Sequence, residues 1–465
     1  MPPSDTARHW SARLAEVAAA ARVNGAVLGI WAEGRRTLAA HGVLSTATGV
    51  AVTPDSVFQI GSITKPWTAT MIMQLVDEER LSLDATVADV LPGVRLGTPD
   101  VADQVRIEHL LTHTSGVDGD IFADTGRGDE CVRRYVDELA DAAVGYPAGQ
   151  AYSYCNSGFV LLGRIIEVLD GRVWDESLRR RLTGPLGLRR TVTLPEEAIL
   201  HRAAVGHQLH PHEAEPRATW MLPRSLGPAG LITASAGDLL TFARLHLDGG
   251  VTEDRTRLLS EDAATSMREP RSEIPGAGSG PDAIGLGWQL SHWDGRRVAG
   301  HSGDTIGQSA FLRMDPASGV AVCLLTNAAD ARPAYQRLFA EVLAEHAGIV
   351  MPAEPEPAAI PAAEGARAAD GGLGRHVGRY ERTSRRFDVS LSDGRLRLLS
   401  TVTGSLAAVS GAEPEELDLL AADESGDNFL CRSHEAEPWT SVSFRALADG
   451  TPYLYASGRV TPRAG

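Results

Sequence analysis

Residues 351–372 limit what this chain can fold into more than any other feature. They are rich in Pro, Ala, Glu and Gly and carry no hydrophobic periodicity, which marks a linker. The patterning differs on its two sides. Upstream, apolar residues recur at helical spacing in some segments and as short continuous runs in others. Downstream they alternate, as in Phe387-Asp-Val-Ser-Leu391 and Arg395-Leu-Arg-Leu398 around the turn Ser392-Asp393-Gly394. Segments of the two periods bury their apolar faces by different geometries. At 465 residues the chain is also too long for one small core. It therefore reads as a mixed unit over 1–350, a linker over 351–372, and a small antiparallel barrel over 373–465.

Within the first unit, residues 10–22 have the spacing of an amphipathic helix, and 25–31 and 36–41 read as strands. The segment 64–79 predicts a helix, with apolar residues at Trp67, Met71, Met73, Leu75 and Val76. Pro66 falls in its first turn, where a missing N–H is tolerated. Further helices are expected over 159–169, 236–247 and 335–346, and strands over 287–290, 310–313 and 320–325. Strands at both ends with helices between them predict an α/β sandwich whose sheet is assembled from both ends of the unit. In the barrel, 439–444 and 453–460 read as further strands.

Of 44 cationic residues only one, Lys65, is a lysine. Arginine does not lose its proton in a protein, whereas a buried lysine can. Ser62 lies three residues earlier, which on a helix puts both side chains on one face. A hydroxyl nucleophile beside a lysine base is one reading; a buried salt bridge in an arginine-biased chain is the other.

The formal net charge of −16 argues against nucleic-acid and anionic-membrane partners, which need a basic footprint. Cys131, Cys155, Cys323 and Cys431 have no metal-ligand spacing and read as reduced thiols. Residues 1–22 hold no uninterrupted apolar stretch, and no run long enough to span a membrane occurs, so a cytoplasmic location is expected. His207, His210, His212 and Glu213 cluster in a Pro-rich loop, but no apparent chemistry calls for a metal there, and none is expected. Arg382, Arg385 and Arg386 read as a solvated face.

Three more segments stand beside Ser62-x-x-Lys65: Tyr154-Cys155-Asn156 just before a helix, Gly300-His301-Ser302-Gly303-Asp304 before a strand, and the turn Leu110-Leu-Thr-His-Thr-Ser-Gly116. With these the chain resembles the serine β-lactamase and penicillin-binding-protein superfamily, in its class C-like, D-peptidase and esterase branch. Matching segments run from about Arg22 to Gly348. The resemblance implies a β-lactamase/transpeptidase-like α/β fold with a mostly antiparallel sheet and no cofactor. It implies Ser62 as the acylated nucleophile, Lys65 as its base, and Tyr154, phenol or phenolate, as proton relay. Asn156 would hold the substrate amide, and the N–H groups of Ser62 and Asp304 would form an oxyanion hole. Ser302 and Gly303 belong to the substrate-binding third motif. His301 stands where many relatives have lysine; a neutral imidazole that titrates near physiological pH would anchor a substrate carboxylate only weakly.

Within that superfamily the layout most resembles the penicillin-binding-protein-type thioesterases, which carry a lipocalin-like C-terminal domain. The stretch 115–129 is similar to that group. The resemblance implies a nonribosomal peptide ending in a D-residue, delivered by a peptidyl carrier protein, loaded on Ser62 and closed head to tail by its own amine. The alternatives are a cytoplasmic esterase or D-amino-acid amidase acting on a small ester, thioester or peptide, and a non-catalytic binding protein on the same scaffold. The barrel has the reach to cover the cleft, and Arg459 on its last strand is the candidate residue facing substrate.

Overall fold

The structure, a computed structural model, describes the chain except residues 1–4, 211–212, 277–279, 359–371, 405, 408–412, 435–437 and 465. A helix α1 (Asp5–Ala20) precedes strands β1 (Gly25–Ala32) and β2 (Arg35–Gly42). Helices α2 (Thr64–Asp77), α3 (Asn156–Asp170) and α4 (Ala236–Leu247) follow, separated by loops and short elements. The chain then returns to the sheet through β3 (Gln289–Trp293), β4 (Arg296–Asp304), β5 (Ser309–Asp315) and β6 (Val320–Thr326), and closes with α5 (Arg332–Ala347).

The sheet is antiparallel, in the order β2-β1-β6-β5-β4-β3, with two short strands beyond β3. Every residue of β6 is buried, because both sheet faces are covered. One face packs on α1 and α5 through Trp10, Leu14, Leu338, Phe339 and Val342. The other packs on the helical layer of α2, α3 and α4, where Trp67 stacks on Phe242 at 3.8 Å. The strand expected at 287–290 begins instead at Gln289. Gly287, at φ +85°, lets the backbone pass over Ala69 of α2, a Cβ contact only glycine avoids.

Beyond the linker, eight strands follow one another around a nearly closed up-and-down barrel: β7 (Gly378–Arg382), β8 (Arg385–Ser392), β9 (Arg395–Val402), β10 (Glu415–Ala421), β11 (Asn428–Cys431), β12 (Thr440–Ala446), β13 (Pro452–Ala456) and β14 (Arg459–Pro462). A bridge between Tyr380 and Arg463 brings first and last strands together. Tyr380, Phe387, Leu398, Phe429, Phe444 and Leu454 fill the interior. The strand expected over 453–460 is really two, folded at Ser457-Gly458, both in the left-handed region. Part of the expected linker is anchored: Met351 is buried against the sheet, and Ala358 N–H donates to Ala421 O at 2.9 Å. Residues 359–371 of that linker lie outside the described residues. A separate apolar cluster joins the two units, with Tyr146, Tyr152 and Ile284 on one side and Leu447, Tyr453, Tyr455 and Val460 on the other.

Candidate active site

Ser62 occupies a single 3-10 turn, Gly61–Ile63, that runs into α2. Lys65 is on the first turn of α2 and is completely buried. Its Nζ lies 3.0 Å from Ser62 Oγ, 2.8 Å from Asn156 Oδ1 and 2.8 Å from the carbonyl oxygen of Ala229. Burial drives its pKa well below the usual lysine value, and the charge of Arg459 adds to the effect. In the neutral form that this shift favours, the amine has two N–H donors and one lone pair. The oxygens of Asn156 and Ala229 can only accept, so they take both donors. The lone pair is left for the Ser62 hydroxyl, which is the arrangement a base needs to draw off that proton.

Asn156 and Tyr154 are set by the loop that enters α3. Cys155 caps the helix, its sulfur accepting the N–H of Gly158 at 3.2 Å, and burial raises its thiol to about 11. Tyr154 turns its ring toward the Lys65 amine, 4.7 Å from the centroid. Burial pushes its phenol far above the usual tyrosine range, an effect the Ser62 hydroxyl only partly offsets. Of the two forms the sequence reading allowed, burial favours the phenol over the phenolate at Tyr154. The Ser62 hydroxyl lies close enough to act on it, yet the buried Tyr154 hydroxyl makes no hydrogen bond of good geometry among the described residues.

His113, part of the turn seen in the sequence but assigned no role, turns out to hold this loop. Its Nδ1 accepts the N–H of Cys155 at 2.9 Å, its carbonyl accepts the N–H of Ser153 at 2.8 Å, and its ring packs 4.4 Å from that of Tyr154. It does so from a left-handed backbone, φ +57°, uncommon for a non-glycine residue.

The third wall is the end of β4. Gly61, at φ +52°, and Gly303 let this strand approach the Ser62 turn backbone to backbone. A Cβ on Gly303 would lie 2.6 Å from the Ser62 nitrogen and 2.1 Å from the Ile60 oxygen, and one on Gly61 2.8 Å from the Asp304 nitrogen. The amides of Ser62 and Asp304 therefore sit side by side. His301 donates from Nδ1 to the Ser302 carbonyl at 2.6 Å, while its buried Nε2 has no partner among the described residues. Burial, reinforced by Lys65, lowers its pKa to about 3. The expectation that it titrates near physiological pH is corrected: the solvation that would stabilise an imidazolium is missing. Ser302 Oγ accepts from Arg313 at 3.1 Å.

The barrel supplies the fourth wall. Tyr154 N–H donates to Gly458 O at 2.8 Å, and Val460 N–H to Ser153 Oγ at 3.1 Å. Arg459 lies with its guanidinium 4.8 Å from the Tyr154 ring centre and forms a two-pronged pair with Asp120, at 3.1 and 2.8 Å. Arg382 also reaches Asp120, at 2.6 Å, with its side chain only 10% exposed. The solvated face expected at Arg382, Arg385 and Arg386 is therefore corrected at Arg382, which the other unit covers; Arg385 donates to Ser400 Oγ at 2.8 Å and Arg386, 34% exposed, pairs with Asp388 at 3.2 Å, both within the barrel. A cavity of about 690 Å³ opens onto Ser62, Tyr154, Asn156, His301, Ser302 and Asp304, and the barrel lines it with Trp439, Tyr455, Gly458 and Arg459.

The loop around His207 is elsewhere. His207 is buried, donates from Nδ1 to Asn327 O at 2.9 Å and accepts from Thr46 N–H at Nε2, leaving neither nitrogen for a metal. His210 pairs with Glu215 at 3.4 Å, and His212 lies outside the described residues. The four cysteines are all unpaired and buried. Among the described residues no helix is long and apolar enough to cross a membrane.

The beta-lactamase family model matches residues 10–345, the whole span that builds three of the four walls. The chain belongs to the beta-lactamase family. It is 46% identical over 374 residues to penicillin-binding protein 4 of Amycolatopsis lactamdurans, covering 78% of this chain and 98% of that protein. It is 27% identical over 330 residues to esterase EstB of Burkholderia gladioli, covering 62% of this chain and 82% of that protein. The crystal structure of SurE superposes with a TM-score of 0.77 at 28% identity, over 98% of this chain and 99% of that one, and so spans the barrel as well. SurE with D-Leu gives 0.74 at 28% identity, over 99% of this chain and 100% of that one. The family is one of serine hydrolases, and the chain is accordingly an enzyme of that class.

Proposed function

We propose that the protein is a thioesterase-type peptide cyclase, which loads a carrier-borne peptide onto Ser62 and releases it by attack of the peptide's own amine. Lys65 takes the Ser62 proton as Oγ attacks the thioester carbonyl. The amides of Ser62 and Asp304 receive the developing oxyanion. Tyr154, as a phenol, relays to the departing thiolate the proton that Lys65 took from Ser62, and in release relays one from the incoming amine back through Lys65 to Ser62 Oγ, so the phenol is restored after each step. Asn156 holds the peptide amide while its Oδ1 orients Lys65. The third-motif groups Ser302, Gly303 and neutral His301 line the opposite side.

The observation that carries this reading is the barrel's place over Ser62. An acyl-enzyme awaiting an intramolecular amine must be shielded from water. Tyr455, Gly458 and Arg459 close the side of the cavity nearest Tyr154. The same two-part layout in SurE, a penicillin-binding-protein-type thioesterase, supports the assignment. The D-Leu bound to SurE supports a peptide whose loaded residue has D configuration. The test is product analysis with a linear peptide thioester ending in a D-residue: the reading requires a macrocycle one water lighter than the linear acid. Linear acid alone would favour an esterase or amidase that uses water as acceptor.

The 46% identity to a penicillin-binding protein favours a second reading, acylation by a β-lactam. Neutral His301 supplies no fixed cation for the β-lactam carboxylate, so this acylation should be slow. Fluorescent penicillin labelling measures it directly.

A further inference from the structure

The loop Asp118-Gly119-Asp120, like the Ser153–Tyr154 loop, is held from both units at once. Its inner side packs on the catalytic loop: Gly119 O accepts the N–H of Asn156 at 3.1 Å, and a Cβ on Gly119 would lie 2.4 Å from the Cys155 Cα. Its outer side faces the barrel. The Asp120 carboxylate, 5% exposed, accepts from Arg459 and Arg382 and, at 3.2 Å, from Ser384 Oγ. Asp118 accepts the Thr383 N–H at 3.1 Å and braces the Asp120 N–H at 3.0 Å. Two guanidiniums thus converge on one buried carboxylate. They repel each other, and the charge of Asp120, with a smaller contribution from Asp118, makes their approach favourable.

What this clamp fixes is the turn Ser457-Gly458-Arg459, whose carbonyl receives the Tyr154 N–H and whose guanidinium lies over the Tyr154 ring. We propose that Asp120 is a positioning residue that locks this barrel turn onto Tyr154, so that the barrel governs acylation of Ser62 itself and not only the fate of the acyl-enzyme. This rests on the assignment of Ser62 as nucleophile and holds whether the acceptor is an amine or water.

The electrostatics give the proposal a sign. Lys65 is faced by Tyr154 and Cys155, by His113, by His301, and by Asp120 and Arg459. Arg459 lowers the Lys65 pKa and Asp120 raises it. If Asp120 acted only through its own charge, Asp120→Asn would lower the Lys65 pKa further. If Asp120 instead holds Arg459 in place, Asp120→Asn releases the guanidinium and the Lys65 pKa rises.

The experiment uses the full chain and a small aryl phosphonate, which reports phosphonylation of Ser62 without a peptide. Labelling rates are measured from pH 5 to 10 for wild type and Asp120→Asn, with thermal melts alongside. The proposal requires a fall of about tenfold at neutral pH and an ascending limb moved about one unit to higher pH in a folded variant. A limb that stays put, or moves to lower pH, overturns it. Should Asp120→Asn not fold, Arg459→Gln, which leaves Asp120 paired to Arg382, carries the same expectation, and a normal limb there overturns it equally. An unlabelled wild type would overturn the nucleophile assignment and this proposal together; a labelled wild type matched by its variants overturns this proposal alone.

Discussion

Lys65→Arg separates a proton acceptor from a fixed charge. Lys65 is 0% exposed, and its Nζ has three partners between 2.8 and 3.0 Å, two of which can only accept. A guanidinium there cannot release its proton, so no lone pair is left for the Ser62 hydroxyl. Its charge would also lack a free counter-ion, because Asp120 is already held by Arg459 and Arg382. Overpacking a filled site adds about 1–3 kcal/mol of strain. Losing a positioned general base is worth about 10²–10⁴ in rate, or about 2.7–5.4 kcal/mol at roughly 1.36 kcal/mol per decade. We therefore expect Lys65→Arg to acylate about 10²–10⁴ times more slowly than wild type, as slowly as Lys65→Ala. The assay is the pre-steady-state burst from an activated ester, with intact-protein mass to count acylated Ser62. A folded Lys65→Arg protein within about tenfold of wild type would show that Lys65 supplies only a positive field and would refute the base assignment.

Tyr154→Phe removes a buried hydroxyl with little loss of packing and should slow both loading and release; quench-flow mass spectrometry that finds either step at the wild-type rate removes Tyr154 from that step. Gly303→Ala drives a methyl against the Ile60 oxygen and Ser62 nitrogen, so acylation should fall by about 10²-fold or more even where the protein folds, read by the same burst. The burial of Lys65 has a stability consequence. Its folded pKa is depressed, so between that value and the unfolded value of about 10.4 the unfolded chain binds the extra proton and the fold is weakened. Lys65→Met should accordingly raise Tm at pH 7, and the gain should shrink as pH climbs toward 10; a gain that grows with pH would contradict the depressed pKa. His301, held to about 3, should contribute no inflection between pH 5 and 9, so His301→Asn should leave the position of the acylation limb unchanged.

Local signals in the sequence carried far. The i, i+3 spacing of Ser62 and Lys65, and the placement of Tyr154-Cys155-Asn156 ahead of a helix, depend on one turn of backbone each and could be read without knowing what packs nearby. Strand alternation likewise exposed the barrel, although β7, β10 and β11 are too short or too polar to stand out. The failures concern contacts between distant segments. Arg382, Arg385 and Arg386 read as a solvated face from their charge alone, and nothing local reports that Asp120, more than 260 positions earlier, lies opposite Arg382. His301 looked titratable because burial, not residue type, sets its pKa. The break at Ser457-Gly458 was legible as a turn dipeptide but was overridden by the flanking aromatic run, and it is the turn that meets Tyr154.

The central claim is that one covered serine carries the peptide between thioester and ring. The most direct measurement is intact-protein mass during turnover of a linear peptide thioester, for wild type and Ser62→Ala. The account predicts a wild-type adduct equal to the peptide acyl group, decaying as macrocycle forms, with neither adduct nor macrocycle in a well-folded Ser62→Ala protein. An adduct or macrocycle that persists in Ser62→Ala, or a wild-type adduct that decays only to linear acid, would contradict it.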